Sequence, residues 1–162
     1  MDWSNYLQDV LLNAKKIAVL GIGSVLCGDD AAGMEIIARL EDPFSGNSNI
    51  LLMGGSTAPE NFTGEIKKFS PDHLLVVDAA YMQASPGTIA IVDAADIDGM
   101  GFSTHMLPLS VMLAYLKQFV GCDYTCIGIQ PSCTDFGSCM SDEMTIAVEK
   151  LCLLLKNIFS DK

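Results

Sequence analysis

Five short runs of almost uninterrupted apolar residues, separated by stretches with helical periodicity, decide most of what this chain can fold into. Ile17–Ile22, Ile50–Met53, Leu74–Asp78, Thr88–Val92 and Thr125–Ile129 lack the polar alternation of a half-wetted sheet. That is the pattern of strands covered on both faces. Helices are predicted near residues 3–14, 31–41, 59–69, 108–119 and 141–158. The last is the clearest. Ser141 stands in the cap position, Asp142 and Glu143 occupy the positive end, and Met144, Ala147, Val148, Leu151, Leu155 and Ile158 repeat on one face. Such alternation predicts an α/β protein with three layers, α/β/α, whose five-stranded, mostly parallel twisted sheet is flanked by helices on both faces. Residues 42–49 and 93–104 read as simple loops, and 1–162 as a single domain.

Half of the residues are hydrophobic, yet the longest uncharged apolar stretch, Ile17 to Gly28, contains two glycines. It falls well short of the roughly 18 residues that a membrane-spanning helix needs. The opening MDWSNYLQDV has two aspartates and no basic cluster, so a secretory signal is not expected and the cytoplasm is the expected location. Nine basic residues stand against twenty acidic ones, a net charge of -11. That sign repels phosphate backbones, so no nucleic-acid partner is expected; it suits a metal cation or a basic protein surface. The six cysteines, at 27, 122, 126, 133, 139 and 152, form no C-x-x-C pair and match no zinc spacing. Cys152 reads as core, and the group from 122 to 139 reads as free thiols, with a redox or metal role the lesser alternative.

In a sheet of this kind the loops at the carboxyl ends of the strands share one edge, and ligands bind there. The candidate segments are Gly21–Gly33, Gly54–Asn61, Asp78–Gly87 and Gln130–Ser141. The first reads GIGSVLCGDDAAG and fails the dinucleotide fingerprint, because Leu26 stands where the third glycine belongs. In its place come two acids, Asp29 and Asp30, which disfavour phosphate and suit one helix cap and one metal ligand. Asp78 closes an apolar strand, where an unpaired carboxylate is costly to bury. Of the two histidines, His73 precedes the third strand at the opposite end of the sheet and reads as surface. His105 lies in a long loop able to return to the active edge. No H-E-x-x-H, G-x-S-x-G or complete calcium loop is present. One imidazole and two carboxylates suit a divalent transition metal with open positions.

Five segments in register then carry a resemblance: VLGIGSVLCGDDAAG, GGSTAPENF, VVDAA followed by PGTIAIVD, STHMLPLSVMLAYL, and GIQPSCTDFGSCMSDEM. The chain resembles the hydrogenase maturation endopeptidases, in the branch that processes hydrogenase 3-type enzymes. The resemblance implies Asp30, Asp78 and His105 as metal ligands and catalytic residues. Asp29 is implied as the acid supporting the first ligand, or as a general base. It also implies an aspartic-type or metal-dependent endopeptidase that trims the carboxyl-terminal extension of a nickel–iron hydrogenase large-subunit precursor. The nickel arrives on the precursor as a recognition tag, other divalent metals can occupy the site, and the enzyme is expected to act as a monomer. Ser24 replaces the family's usual asparagine and Ala31 a frequent glycine, which touches partner choice more than the ligand set. GGSTAPENF reads both as a helix start and as a wall of the substrate groove. The rival readings are a metal chaperone using the same ligands and a nucleotide-binding enzyme on a similar core.

Overall fold

The computed structural model describes residues 2–94 and 108–162. Its elements follow the predicted alternation. They are α1 (Trp3–Asn13), β1 (Ile17–Ile22), a 3-10 turn at Gly28–Ala31, α2 (Ala32–Phe44), β2 (Ile50–Ser56), a second 3-10 turn at Pro59–Phe62 and α3 (Thr63–Phe69). Then come β3 (His73–Ala79), β4 (Ile89–Val92), α4 (Leu109–Val120), β5 (Asp123–Ile129) and α5 (Asp142–Phe159). The strands form one sheet in the order β2-β1-β3-β5-β4. β1, β2, β3 and β5 are parallel, and only β4 runs antiparallel, against β5.

Alternate residues of the central strands feed two separate cores, which is why these runs are apolar throughout. Val19, Leu75, Val77, Ile127 and Ile129 face one way and pack beneath α1, α2 and α5 through Leu7, Leu11, Ile36, Leu40, Leu151 and Leu155. Ala18, Leu20, Leu74, Val76 and Cys126 face the other way and meet Ile66 of α3 and Leu113 and Leu116 of α4. Cys152 belongs to the first core, as expected. Among the described residues no helix is long and apolar enough to cross a membrane.

Three expectations are corrected. His73 is buried, not on the surface: it opens β3, and its Nε2 lies 2.9 Å from Thr125 Oγ1. Burial lowers its proton affinity, against a weaker opposing pull from Asp123. Residues 42–44 are the last turn of α2 rather than loop, despite Pro43. Pro43 gives up its bond to the Arg39 carbonyl, and the turn is closed by the Ser45 amide donating to the Glu41 carbonyl at 2.8 Å. The extra turn brings Phe44 edge-on to Phe159 of α5, with ring centroids 5.4 Å apart. Finally, Asp29 does not cap α2, whose first turn has no side-chain cap. The remainder of the predicted 93–104 loop, from residue 95, lies outside the described residues.

Candidate active site

The carboxyl ends of β1, β3 and β5 are where the acids meet. Two glycines let β1 and α2 approach far more closely than side chains would allow. A Cβ at Gly21 would stand 2.1 Å from the Gly33 carbonyl oxygen, and one at Gly33 would stand 2.4 Å from the carbonyls of Ile22 and Val77. The start of α2 therefore rests directly on the strand ends, and Asp30, in the turn before it, comes close to Asp78. Gly23 adopts φ +127°, with the Asp30 carbonyl filling the place a Cβ would take. Gly21 thus serves the approach of α2, and Gly23 that of Asp30, rather than of a pyrophosphate.

Asp30 and Asp78 are both buried, and neither forms an ion pair among the described residues. Asp30 accepts one strong bond, from the Ser24 amide at 2.7 Å. Burial nevertheless raises its carboxyl above the ordinary range, outweighing that bond. Asp78 sits opposite Gly128 of β5, with its side chain on the α3/α4 face by alternation from Leu74 and Val76. Burial pushes its carboxyl up to about 8, the nearby Asp30 charge adds to the rise, and the Ala79 amide opposes it. Two neighbouring buried acids thus stand together at this edge, each holding its proton more tightly than a free carboxyl does.

Asp29, one residue away, is in the opposite condition. It is wholly buried, but its oxygens accept from the Ser132 amide at 2.7 Å, the Cys133 amide at 3.3 Å, the Ser141 amide at 2.6 Å and the Ser141 hydroxyl at 2.9 Å. Burial alone would raise its carboxyl, but those donors together hold it below the ordinary range. Ser141 also caps α5, so Asp29 lies at that helix's positive end. The aspartate thereby ties the loop after β1 to the loop after β5. Ser24 keeps its hydroxyl occupied locally, accepting from the Leu26 amide at 3.3 Å.

The four loops named from the sequence do converge. The Gly23 amide donates to the Ser56 carbonyl at 2.9 Å, and the Asp29 amide to the Cys133 carbonyl at 2.9 Å. The Gly87 amide reaches the Gln130 carbonyl at 2.8 Å, while Gln130 Oε1 accepts from Met82 at 2.7 Å. Pro59 opens the turn after β2 as expected. Beside it is a group the sequence did not mark as unsatisfied: Glu60, whose Oε2 is buried and has no hydrogen-bond partner among the described residues. His105 lies outside the described residues. The described residues nearest to it begin α4, which packs against the Pro59–Phe62 turn at this edge and leads, through Gly121, to the start of β5. Among the described residues no three His, Cys, Asp or Glu side chains are grouped to hold a metal ion, so Asp30 and Asp78 stand as a pair. The same holds for Cys122, Cys126, Cys133 and Cys139, none of which is in a disulfide.

Comparison with known proteins bears on the family and the fold. A hydrogenase maturation protease family model (HycI) matches residues 34–157. The hydrogenase 3 maturation protease of Escherichia coli K12 is 35% identical over 132 residues, covering 81% of this chain and 83% of its own. The crystal structure of the [NiFe] hydrogenase maturation protease HycI from Thermococcus kodakarensis KOD1 superposes with a TM-score of 0.86 at 32% identity. That match covers 96% of this chain and 99% of the other. The E. coli hydrogenase maturating endopeptidase HybD follows at a TM-score of 0.65 and 26% identity, covering 88% and 93%. The glycine-packed strand ends, the paired acids and these matches together make the chain a member of the hydrogenase maturation protease family.

Proposed function

We propose that this protein is the endopeptidase that removes the carboxyl-terminal extension of a nickel-loaded nickel–iron hydrogenase large-subunit precursor. The observation that carries the reading is the Asp30–Asp78 pair, two buried carboxyls with raised proton affinity and no cationic partner among the described residues. Such a pair is stable only when protonated or when a cation arrives. In this reading the nickel is part of the substrate. Asp30 and Asp78 lose their protons to receive it, and His105 supplies the nitrogen ligand. Holding the precursor by its metal fixes the scissile peptide against the enzyme, which removes much of the entropic part of the barrier. Water adds to the peptide carbonyl, the C–N bond breaks, and the proton lost by the water passes to the leaving amine.

Asp29 acts here as a positioning residue, because its oxygens are already engaged by the loop after β5. Glu60, with an open acceptor beside the edge, offers a bonding site to a backbone N–H of the extension. The enzyme is read as a monomer of the cytoplasm. A metal chaperone would use the same ligands, and the nucleotide reading loses its cradle to the Asp30 carbonyl over Gly23.

The test mixes purified nickel-loaded precursor with wild-type protein and with Asp30→Ala, Asp78→Ala and His105→Ala. Wild type is expected to release the terminal peptide, and each variant to lose roughly a hundredfold or more in rate, the scale of a removed catalytic group. Wild-type rate in any variant removes that residue from the set. Tight nickel binding with no peptide released by wild type would make the protein a chaperone.

A further inference from the structure

Of the eleven large apolar side chains left in solvent among the described residues, five lie on helices: Leu12, Val111, Phe119, Ile146 and Leu153. Scattered exposure of that kind is ordinary. Three others belong together. Val25 and Leu26, on the loop after β1, are 65% and 58% exposed, and Phe136, on the loop after β5, is 81% exposed. The Gly137 amide donates to the Leu26 carbonyl at 2.7 Å, which sets Phe136 beside that pair.

The ledge they form is fixed from below. Gly28, at φ +54°, lies so close to the second loop that a Cβ there would stand 2.3 Å from Ser138 Oγ and 2.6 Å from the Cys133 carbonyl. Asp29 holds Ser132, Cys133 and Ser141, and Tyr81 Oη lies 2.8 Å from Thr134 Oγ1. The exposed side chains thus ride on a braced platform next to Asp30, and a rigid apolar surface loses little freedom on binding.

The surroundings carry one sign of charge. Residues 23–31, 57–62, 80–88 and 130–141 include Asp29, Asp30, Glu60 and Asp135 but no lysine or arginine. The cations all lie elsewhere: Lys15 and Lys16 precede β1 at the opposite edge, and the others lie on helices or at the carboxyl terminus. Asp29 and Asp30 are buried, which leaves Asp135, beside Phe136, as the exposed acid; a second copy docked through the same ledge would bring it no cation. A partner with apolar residues flanked by basic ones would be complementary.

We propose that Val25, Leu26 and Phe136 are a docking ledge for the precursor, receiving an apolar segment of it flanked by basic residues. This rests on the endopeptidase reading above, and the ledge then sets affinity while the acids beside it carry out the cleavage.

The experiment measures release of the terminal peptide from nickel-loaded precursor, over a range of precursor concentrations, by wild type, Leu26→Ser/Phe136→Ser and Phe136→Gln alone. Direct binding of the same purified precursor to each immobilised protein is measured alongside. The double variant is expected to raise KM roughly ten- to a hundredfold, the range for losing central apolar contacts, with kcat within about twofold and melting unchanged. Phe136→Gln, altering a side chain that already faces solvent, should raise KM several-fold, and Phe136→Tyr should restore most of it. An unchanged KM and unchanged precursor binding in both variants would overturn the ledge. So would a wild-type dimer that the double variant splits without change in KM, since a second copy would then occupy the surface. If wild type binds precursor but releases nothing, the endopeptidase reading fails while the binding arm still judges the ledge.

Discussion

Adjacent aspartates in this chain titrate in opposite directions, and the cause is what each carboxyl touches. Asp29 receives four donors and is held below its ordinary range, whereas Asp30 receives one and is raised by burial. Asp78, raised to about 8, behaves like Asp30. The consequences for stability have opposite signs. Asp29 contributes stability above its unfolded value, lost as pH falls through its lower folded value. Asp78 in the metal-free protein keeps a proton that the unfolded chain has released between about pH 4 and 8. Stability therefore declines as pH rises through that window and levels off above it. Asp78→Asn cannot ionise, so it is expected to match wild type near pH 4 and to exceed it at pH 9 by an amount on the order of a few kcal/mol. Urea titrations at the two pH values give the comparison, and equal stabilities at pH 9 would show that Asp78 ionises there without penalty. A smaller slope of the same sign should persist in the variant, because Asp30 remains.

At the scale of elements, the loops after β1 and β5 behave as one piece with Asp29 as its fastening. Removing that carboxylate in Asp29→Ala strands the amides of Ser132, Cys133 and Ser141, and each buried donor left unsatisfied costs roughly 1–3 kcal/mol. Hydrogen exchange should show those three amides losing protection by orders of magnitude while the β3 amides lose only what global stability loses. Unchanged protection at Ser132 and Ser141 would break the link between the loops. Ser141→Ala, which loses both the cap and one donor to Asp29, should sit lower, at about 1–2 kcal/mol. The fastening was not legible in the sequence. An acid before a helix reads as a cap by its local position, but the true partners lie 103 to 112 residues away. Burial of His73 was hidden for the same reason, since its partner Thr125 comes from a strand 52 residues on. The final turn of α2 depends on Phe159, likewise remote. Strands covered on both faces, as β1 and β3 are, announce themselves in their own composition; the edge strand β4, with Ile91 exposed, was legible from its apolar run although one face meets solvent. Asp30 and Asp78 were legible because each is a charge at the end of an apolar run, a conflict within a few residues.

The whole molecule carries its charges unevenly, and that arrangement bears on how it meets a precursor. Net charge is -11, and the loops along the candidate site contribute acids without a single lysine or arginine. Such an edge projects a negative field over the approach path, and steered association of this kind raises encounter rates by ten- to a thousandfold at low ionic strength. The field is screened within about 10 Å at 0.1 M salt and about 3 Å at 1 M. If the precursor brings its nickel and basic residues to this edge, kcat/KM for peptide release should fall roughly tenfold or more as salt rises from about 10 mM to 500 mM. kcat at saturating precursor should change far less, because the reacting groups are buried and weakly screened. Loss of fold cannot produce that result, since salt relieves the self-repulsion of a strongly acidic protein and should hold or raise its melting temperature. A kcat/KM that stays flat across the salt range would leave the acidic edge with no part in capture, and docking would then rest on apolar contact and the nickel alone.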